Sequence, residues 1–464
     1  MSSRKIFILL PDGVGLRSFA YSSFVEAGQK LGWEIIFWNQ TPFDLKKLGY
    51  TEVKLRGKPR AFTDLVKRAK IQSELDFFTQ EFNDPIYQTY KFSSSKNGVK
   101  SRIKNSVVSF LVAMNKGESG VRRLNKMLRN AEAGSSFYKS CKTVLEKEKP
   151  DLVFCTNQRP GNAIAPLLAA RDLGIKTGCF IFSWDNLPKA TKVIETDFYL
   201  VWSDYMQKEL QTYYPYIKDE QIKVTGTPQF EVHFKKETRV SRESFFAAHD
   251  LVPGRQYVCF SGDDVTTSPH DEFYLRDVAE AVRQMNAKGG DLGVIFRRCP
   301  VDFSDRYDRF IKEYDDVIVA IEAVWKKQGN AWNSILPLPE DLILQSNIIQ
   351  HTFMVINVGS SMVFDYVSYH KPCMYINYNP AGIDIEKDTR SIYDYVHFRS
   401  MPSKNAVLWG NAKEEISQNI QAVLEHKTEA VVEEAQNWFK RINKYPPQDS
   451  INRIWKALDS SLIS

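Results

Sequence analysis

Three small residues and an acid stand where a strand-like run gives way to a helix: Gly359, Ser360 and Ser361 follow "FMVIN" and Val358, and Asp365 comes one helical turn later. Main-chain amides at such a turn have no helical partner and can hold a phosphate, with the two serine hydroxyls as extra donors. Ser360 would serve equally as an N-cap. Asp365, four residues beyond Ser361, lies on the same helical stripe and points toward whatever covers the helix start. A carboxylate there suits paired ribose hydroxyls, and the amides one turn back suit a pyrophosphate. A nucleotide is the simplest ligand that satisfies both.

The elements that must position this turn are legible as period. In the N-terminal half, "KIFILL" (5–10), "EIIFW" (34–38), "DLVFCT" (151–156), "KTGCFIF" (176–182) and "FYLVW" (198–202) are short apolar runs rich in β-branched and aromatic residues. Amphipathic segments at 17–30 and 161–173 separate some of them, and strand–helix–strand alternation is the grammar of a parallel sheet. The same grammar restarts after the charged interval "KKETRVSRES" with "QYVCFSG" (256–262), "LGVIFR" (292–297), "DVIVAI" (316–321), "FMVINVG" (353–359) and "CMYINY" (373–378), with helices expected at 273–288 and 305–314. The pattern predicts an α/β protein of two doubly wound, Rossmann-like domains, residues 1–238 and 239–412, facing a central cleft. Residues 413–464 are amphipathic at helical spacing and are expected to pack across both domains.

Composition narrows the function classes. At 464 residues, 43% hydrophobic and 25% charged, the chain is an ordinary globular protein long enough for two cores. It shows no secretory signal pattern, and its best apolar stretch, "SVVSFLVAM" (106–114), is about half what a bilayer span needs, so a cytosolic protein is expected. Six cysteines without paired spacing and seven histidines without an HExxH-like cluster argue for buried thiols and against a disulfide or metal framework. Residues 91–130 carry ten Lys or Arg (Lys91, Lys96, Lys100, Arg102, Lys104, Lys116, Arg122, Arg123, Lys126, Arg129) against the single acid Glu118. Such a stretch is either a solvated helical face or a contact for an anionic surface, a membrane leaflet or an acidic lipid-linked substrate. Nucleic acid is disfavoured because aromatic residues are not interleaved at regular spacing.

The segment "LILQSNIIQHTFMVINVGSSMVFDYVSYHKPCMYI" resembles the donor-binding region of GT-B nucleotide-sugar glycosyltransferases, especially bacterial surface-polysaccharide enzymes and the related CDP-glycerol glycerophosphotransferases. "ILLPDGVGLRSFAY", "FSWDNLPKATK", "VTGTPQFEVHF" and "VCFSGDD" are similar to the same group in the same order, over nearly the whole chain. The resemblance implies a C-terminal domain that binds the nucleotide sugar and an N-terminal domain that binds the acceptor, a growing and lipid-linked cell-surface glycan, at the cytoplasmic face of the membrane. It also implies that the Gly359–Ser361 turn meets the donor diphosphate and Asp365 the ribose, although many relatives have Glu there. His351 matches a common histidine of relatives; as a lone residue it reads equally as a core or capping histidine.

Arg297 and Arg298 end a buried strand and could close on the diphosphate in place of a metal, or could simply balance Asp302 and Asp305. Gly262 and Asp263 follow the first strand of the donor half and would approach the donor; a tight turn alone would also explain Gly262. On the acceptor side, Gly13 and Gly15 of "PDGVGLRS" permit close backbone approach, but the third glycine of a dinucleotide fingerprint is missing, so NAD is not supported. Asn157, Gln158 and Arg159 offer hydroxyl and anion partners, and "SWDNLPK" sets Trp184 beside Asp185 with Lys189 nearby. Transfer to a hydroxyl needs a base. Asp185 is the first candidate and Asp12 the second, though either could instead fix a loop. The CDP-glycerol relatives read Trp-His-Gly-Thr-Pro-Leu-Lys in the segment similar to "SWDNLPK", so a histidine is replaced by Asp185, which argues against simple glycerophosphate transfer. A nucleotide-sugar 2-epimerase and a non-catalytic nucleotide-binding scaffold are the alternatives; no resident cofactor is expected.

Overall fold

The computed structural model describes residues 4–91, 98–327, 335–385 and 388–462; Lys96 of the basic segment lies outside them. The chain divides into two compact units, one of residues 1–228 with 442–464 and the other of residues 229–441.

Unit 1 is built on a seven-stranded, wholly parallel sheet in the order β3-β2-β1-β4-β5-β6-β7. The strands are β1 (Arg4–Leu10), β2 (Trp33–Asn39), β3 (Glu52–Lys54), β4 (Leu152–Cys155), β5 (Lys176–Phe180), β6 (Phe198–Val201) and β7 (Ile222–Val224). Ile6 to Leu10 and Leu152 to Cys155 are all buried, because helices cover both faces of a parallel sheet and leave no polar side to alternate with. Phe19 knits the core, with edge-on contacts to Phe24, Phe154 and Phe180. Between β3 and β4 the described residues include the α-helices Ala61–Glu81, Val99–Met114, Gly117–Glu132 and Ser136–Glu148.

Unit 2 repeats the plan with a six-stranded parallel sheet in the order β10-β9-β8-β13-β14-β15 and a separate antiparallel pair, β11 and β12. Here β8 is Gln256–Ser261, β9 Leu292–Arg297, β10 Ile318–Ala320, β11 Trp325–Lys327, β12 Ile335–Pro337, β13 Val355–Asn357, β14 Cys373–Ile376 and β15 Leu408–Gly410. In both sheets the strand order reverses beside the first strand, between β1 and β4 and between β8 and β13. Loops leaving those strand ends splay apart there and open a crevice for a ligand.

Three expectations change in detail. The helix foreseen at 17–30 is a wide turn, Leu16–Ala20, followed by a separate helix, Phe24–Lys30, with Ser22 Oγ donating to the Ser18 carbonyl and accepting from Phe24 N–H between them. The division expected near 238 falls at 228/229. The last helices do not act as one body: Glu414–Leu424 and Glu429–Ile442 go with unit 2 up to Arg441, while Ser450–Ser461 belongs to unit 1. There Trp455 stacks on Phe24 with ring centroids 4.5 Å apart, and its indole N–H donates to the Phe24 carbonyl at 2.9 Å. Among the described residues no helix is long and apolar enough to cross a membrane.

Candidate functional site

In unit 2 the loop after β13 makes the Gly359–Ser361 turn, half-buried, at the reversal point of the sheet. Gly359 has φ +67°, and a Cβ there would lie 3.1 to 3.4 Å from Phe398, Ile392 and Tyr393, so conformation and space both demand glycine. Asn357 Oδ1 accepts from Ser360 N–H at 2.9 Å, and Tyr375 Oη donates to the Ser360 carbonyl at 2.9 Å. The turn is therefore held from both sides. Among the described residues no hydrogen bond reaches the Gly359 or Ser361 N–H or the Ser361 hydroxyl.

The matching loop after β8 contains Gly262 and Asp263. A Cβ on Gly262 would come within 3.1 Å of Phe296 and of Tyr307 Oη, so the loop packs tightly against β9 here. Asp263 N–H donates to Asp271 Oδ2 at 3.0 Å, Tyr307 Oη donates to the same oxygen at 2.8 Å, and Arg306 donates to the Asp263 carbonyl at 2.7 Å. Burial, with Asp271 and Asp264 close by, raises the Asp263 carboxyl well above the usual carboxylate range. Asp271 itself is raised to about 6 by burial. Asp263 is among the charges felt by the buried Tyr375 and Tyr393 phenols, which places it in the neighbourhood of the glycine turn.

Other donor candidates have protein partners within unit 2. Asp365 is only 3% exposed, and its Oδ1 lies 2.7 Å from Nε2 of His233, itself 1% exposed. The acid expected on ribose is thus turned inward to a histidine of the segment that opens unit 2. Arg297 is also buried, and its guanidinium makes two bonds of 2.9 and 3.0 Å to the Asp341 carboxylate. Asp341 in turn accepts from Val324 N–H at 2.8 Å and the Trp325 indole at 2.7 Å, so the pair fixes the loop after β10. Arg298 is spent on Asp308 and Glu322 and on the Ser304 carbonyl, not on Asp302 or Asp305. It borders a groove of about 350 Å³ with Cys299, Phe303 and Trp325. His351 precedes β13 and so lies at the opposite end of that strand from Gly359; it bonds the Val240 carbonyl at 2.9 Å, stacks on Phe245 and lines a groove of about 650 Å³ with Arg242 and Lys371. That larger groove opens at the amino ends of the strands, away from the turn chemistry.

In unit 1 the reversal point is bridged directly: Asn157, after β4, donates from Nδ2 to Asp12 Oδ2 at 2.7 Å, after β1. Asp12 Oδ1 accepts from Val14 N–H at 3.1 Å. Burial raises the Asp12 carboxyl, opposed by that N–H and by Arg159, Asn157 and Lys67. Lys67, from the helix Ala61–Glu81, is pushed down by burial and by Arg159. Neither Lys67 nor Arg159 has an ion-pair partner among the described residues; the Arg159 guanidinium rests 5.6 Å over the Phe182 ring. Two half-buried cations thus flank one carboxylate. Lys67 sits in a helix with no motif around it, and spacing alone could not have found it.

The remaining acceptor candidates make contacts within unit 1. Gln158 is fully buried, donating to Asn186 and Thr191 and accepting from Phe182 N–H. A Cβ on Gly15 would collide with Thr156, which makes Gly15 a packing glycine; Gly13 accepts from Leu16 N–H in the turn beside it. Trp184 is a core residue. Asp185 is tied to Lys189 by an ion pair and accepts from Ser183 Oγ at 2.5 Å and Asn186 Nδ2 at 2.8 Å, so its lone pairs are largely occupied.

No protein-family model and no curated protein sequence matches the chain. Solved structures do. It is similar to a UDP-GlcNAc 2-epimerase from Methanocaldococcus jannaschii (TM-score 0.53, 14% identity, 98% of this chain and 99% of that one). It is also similar to a further UDP-N-acetylglucosamine 2-epimerase (TM-score 0.53, 12% identity, 99% and 96%) and to S. aureus MnaA with UDP (TM-score 0.52, 11% identity, 99% and 97%). At such identities the likeness is one of fold: two Rossmann-like parallel-sheet domains of the GT-B kind, with loops at two sheet-reversal points where ligands of such sheets are held.

Proposed function

We propose that the protein is a glycosyltransferase that moves a sugar from a nucleotide-sugar donor to a phosphorylated, lipid-linked glycan acceptor. The observation that carries the donor half of this reading is the Gly359–Ser361 turn, braced by Asn357 and Tyr375 while its Gly359 and Ser361 N–H groups stay unengaged. Donors held rigid without a protein acceptor suit a diphosphate, and they stabilise the charge that grows on it as it leaves. The buried pairs Asp365–His233 and Arg297–Asp341 support the walls of this unit rather than touch the nucleotide. The reading uses no resident metal, so activity survives EDTA.

Unit 1 supplies the acceptor chemistry. Asp12 takes the proton of the acceptor hydroxyl as that oxygen bonds to the anomeric carbon and the bond from that carbon to the diphosphate oxygen breaks. Its raised pKa makes it a better proton acceptor than an ordinary carboxylate, and Asn157 fixes its orientation. Lys67 and Arg159, beside it and without carboxylate partners within ion-pair distance, match a phosphoryl group of the acceptor.

A second reading, nucleotide-sugar 2-epimerisation, is favoured by the names of the solved structures of like fold. CDP-glycerol-type polyol-phosphate transfer is a third variant of the same donor site. A thermal-shift panel of UDP-, GDP-, CDP- and CMP-sugars tests the shared premise, since a ligand at about 100 times its Kd stabilises by about 2.7 kcal/mol. No stabilisation by any of them refutes a nucleotide site. Incubating the stabilising sugar nucleotide alone then separates the readings: an epimer appearing without acceptor supports epimerisation, and an unchanged donor supports transfer.

A further inference from the structure

The helix Val99–Met114 presents an apolar stripe to solvent. Val99, Ile103, Phe110 and Met114 are 72%, 60%, 64% and 61% exposed. Steps of four, seven and four residues bring all four onto one side of the helix, and the half-buried Val107 falls between them. The other side is where the helix meets unit 1: Val108 and Leu111 are buried, and Asn105 accepts from Arg68 of the helix Ala61–Glu81 at 2.9 Å. Lone exposed apolar residues are ordinary, but four large ones aligned on one helix are not.

Charge says what covers the stripe. The helix contains no Asp or Glu, and Lys100, Arg102 and Lys104 are exposed with no ion pair among the described residues. At 100° per residue Lys100 and Arg102 fall on opposite flanks of the stripe. Lys116 and Lys126 follow, also exposed, while Arg122 is engaged by Glu118, Arg123 by Asn115 and Arg129 by Glu195. A protein partner complementary to this face would have to pair an apolar strip with acids along both sides. An anionic bilayer does so without design, because acyl chains take the apolar side chains while headgroup phosphates take the flanking cations.

We propose that the helix Val99–Met114 docks unit 1 on an anionic membrane surface, lying in the interface with Ile103 and Phe110 inserted and Lys100 and Arg102 at the headgroups. This is independent of which reaction the protein catalyses. The test is co-sedimentation of the full chain with extruded vesicles of equal parts phosphatidylcholine and phosphatidylglycerol, against phosphatidylcholine alone. The parent should bind the mixed vesicles and weaken with added salt, since each cation near a charged leaflet is worth about 1 kcal/mol, about fivefold in partitioning. Ile103→Ser with Phe110→Ser should lower partitioning about tenfold or more. Lys100→Glu with Arg102→Glu should remove the preference for phosphatidylglycerol. Because these side chains are exposed, the melting temperature should stay at the parental value, which separates lost docking from lost folding. A parent that stays in the supernatant overturns the proposal, as does a serine variant that sediments like the parent. So does a concentration-dependent dimer abolished by Phe110→Ser, which would give the stripe to a second copy.

Discussion

Replacing Arg297 by Met separates two roles for this residue. Had it been a donor ligand, the change would lower nucleotide affinity and leave stability nearly untouched. In the structure its guanidinium makes two short bonds to the buried Asp341 carboxylate, which also orders Val324 and Trp325. Removing one partner of a buried pair strands the other charge, at a cost of about 3 to 5 kcal/mol. Two donors remain on Asp341, so the lower figure, about 3 kcal/mol, is expected. For a domain of this size that corresponds to a fall of about 6–12 °C in Tm. Differential scanning calorimetry measures the fall, and Trp325 fluorescence reports whether the loop after β10 loosens with it. The double variant Arg297→Met, Asp341→Leu should recover much of the loss, because an apolar pair of similar volume leaves no orphaned charge. If Arg297→Met melts with the parent, the account of this pair is wrong.

Asp12→Asn should lower turnover about 100-fold or more while nucleotide-induced stabilisation is kept. In the parent, the acid limb of the pH–rate profile should lie above the ordinary carboxylate range, because burial raises Asp12; a limb near pH 4 would remove it as the base. Lys67→Gln and Arg159→Gln should each raise the acceptor KM about tenfold, with donor binding unchanged; equal loss of donor binding would reassign the two cations. Asp271, raised to about 6, holds its proton more tightly folded than unfolded. Its contribution to stability is therefore fully present below about pH 3.8 and lost as pH rises through about 6. The difference in Tm between the parent and Asp271→Asn should shrink across that window, and a constant difference would count against the raised value.

The strands were legible because a sheet covered on both faces selects continuous apolar runs, as in Ile6–Leu10 and Leu292–Phe296. The edge strand β3, with an exposed Lys54 and no fully buried residue, carried no such signal, and neither did the short β15. The Gly359–Ser361 turn could be found because its chemistry is local: a glycine and two hydroxyls directly after a strand. Its neighbours could not. His233 meets Asp365 across 132 positions and Arg297 meets Asp341 across 44, and no spacing rule ties an acid to a partner at such separations. Spacing alone therefore assigns Asp365 and Arg297 to a ligand and shows neither His233 nor Asp341 beside them. For the same reason spacing favours Asp185 over Asp12: an aromatic beside an acid looks like a sugar site, while the lysine paired with that acid and the asparagine that orients the other become visible only in three dimensions.

Trp455 fills the space above Gly28, where a Cβ would strike its ring at 2.1 Å, and it covers Phe24 and Trp33 of the first unit. During synthesis, then, the earliest part of the polypeptide emerges with that aromatic hollow unfilled and must wait while the ribosome translates all of residues 229–441 before its lid arrives. Premature termination anywhere in that interval leaves a greasy opening in an otherwise assembled sheet, a natural target for chaperones that patrol nascent chains.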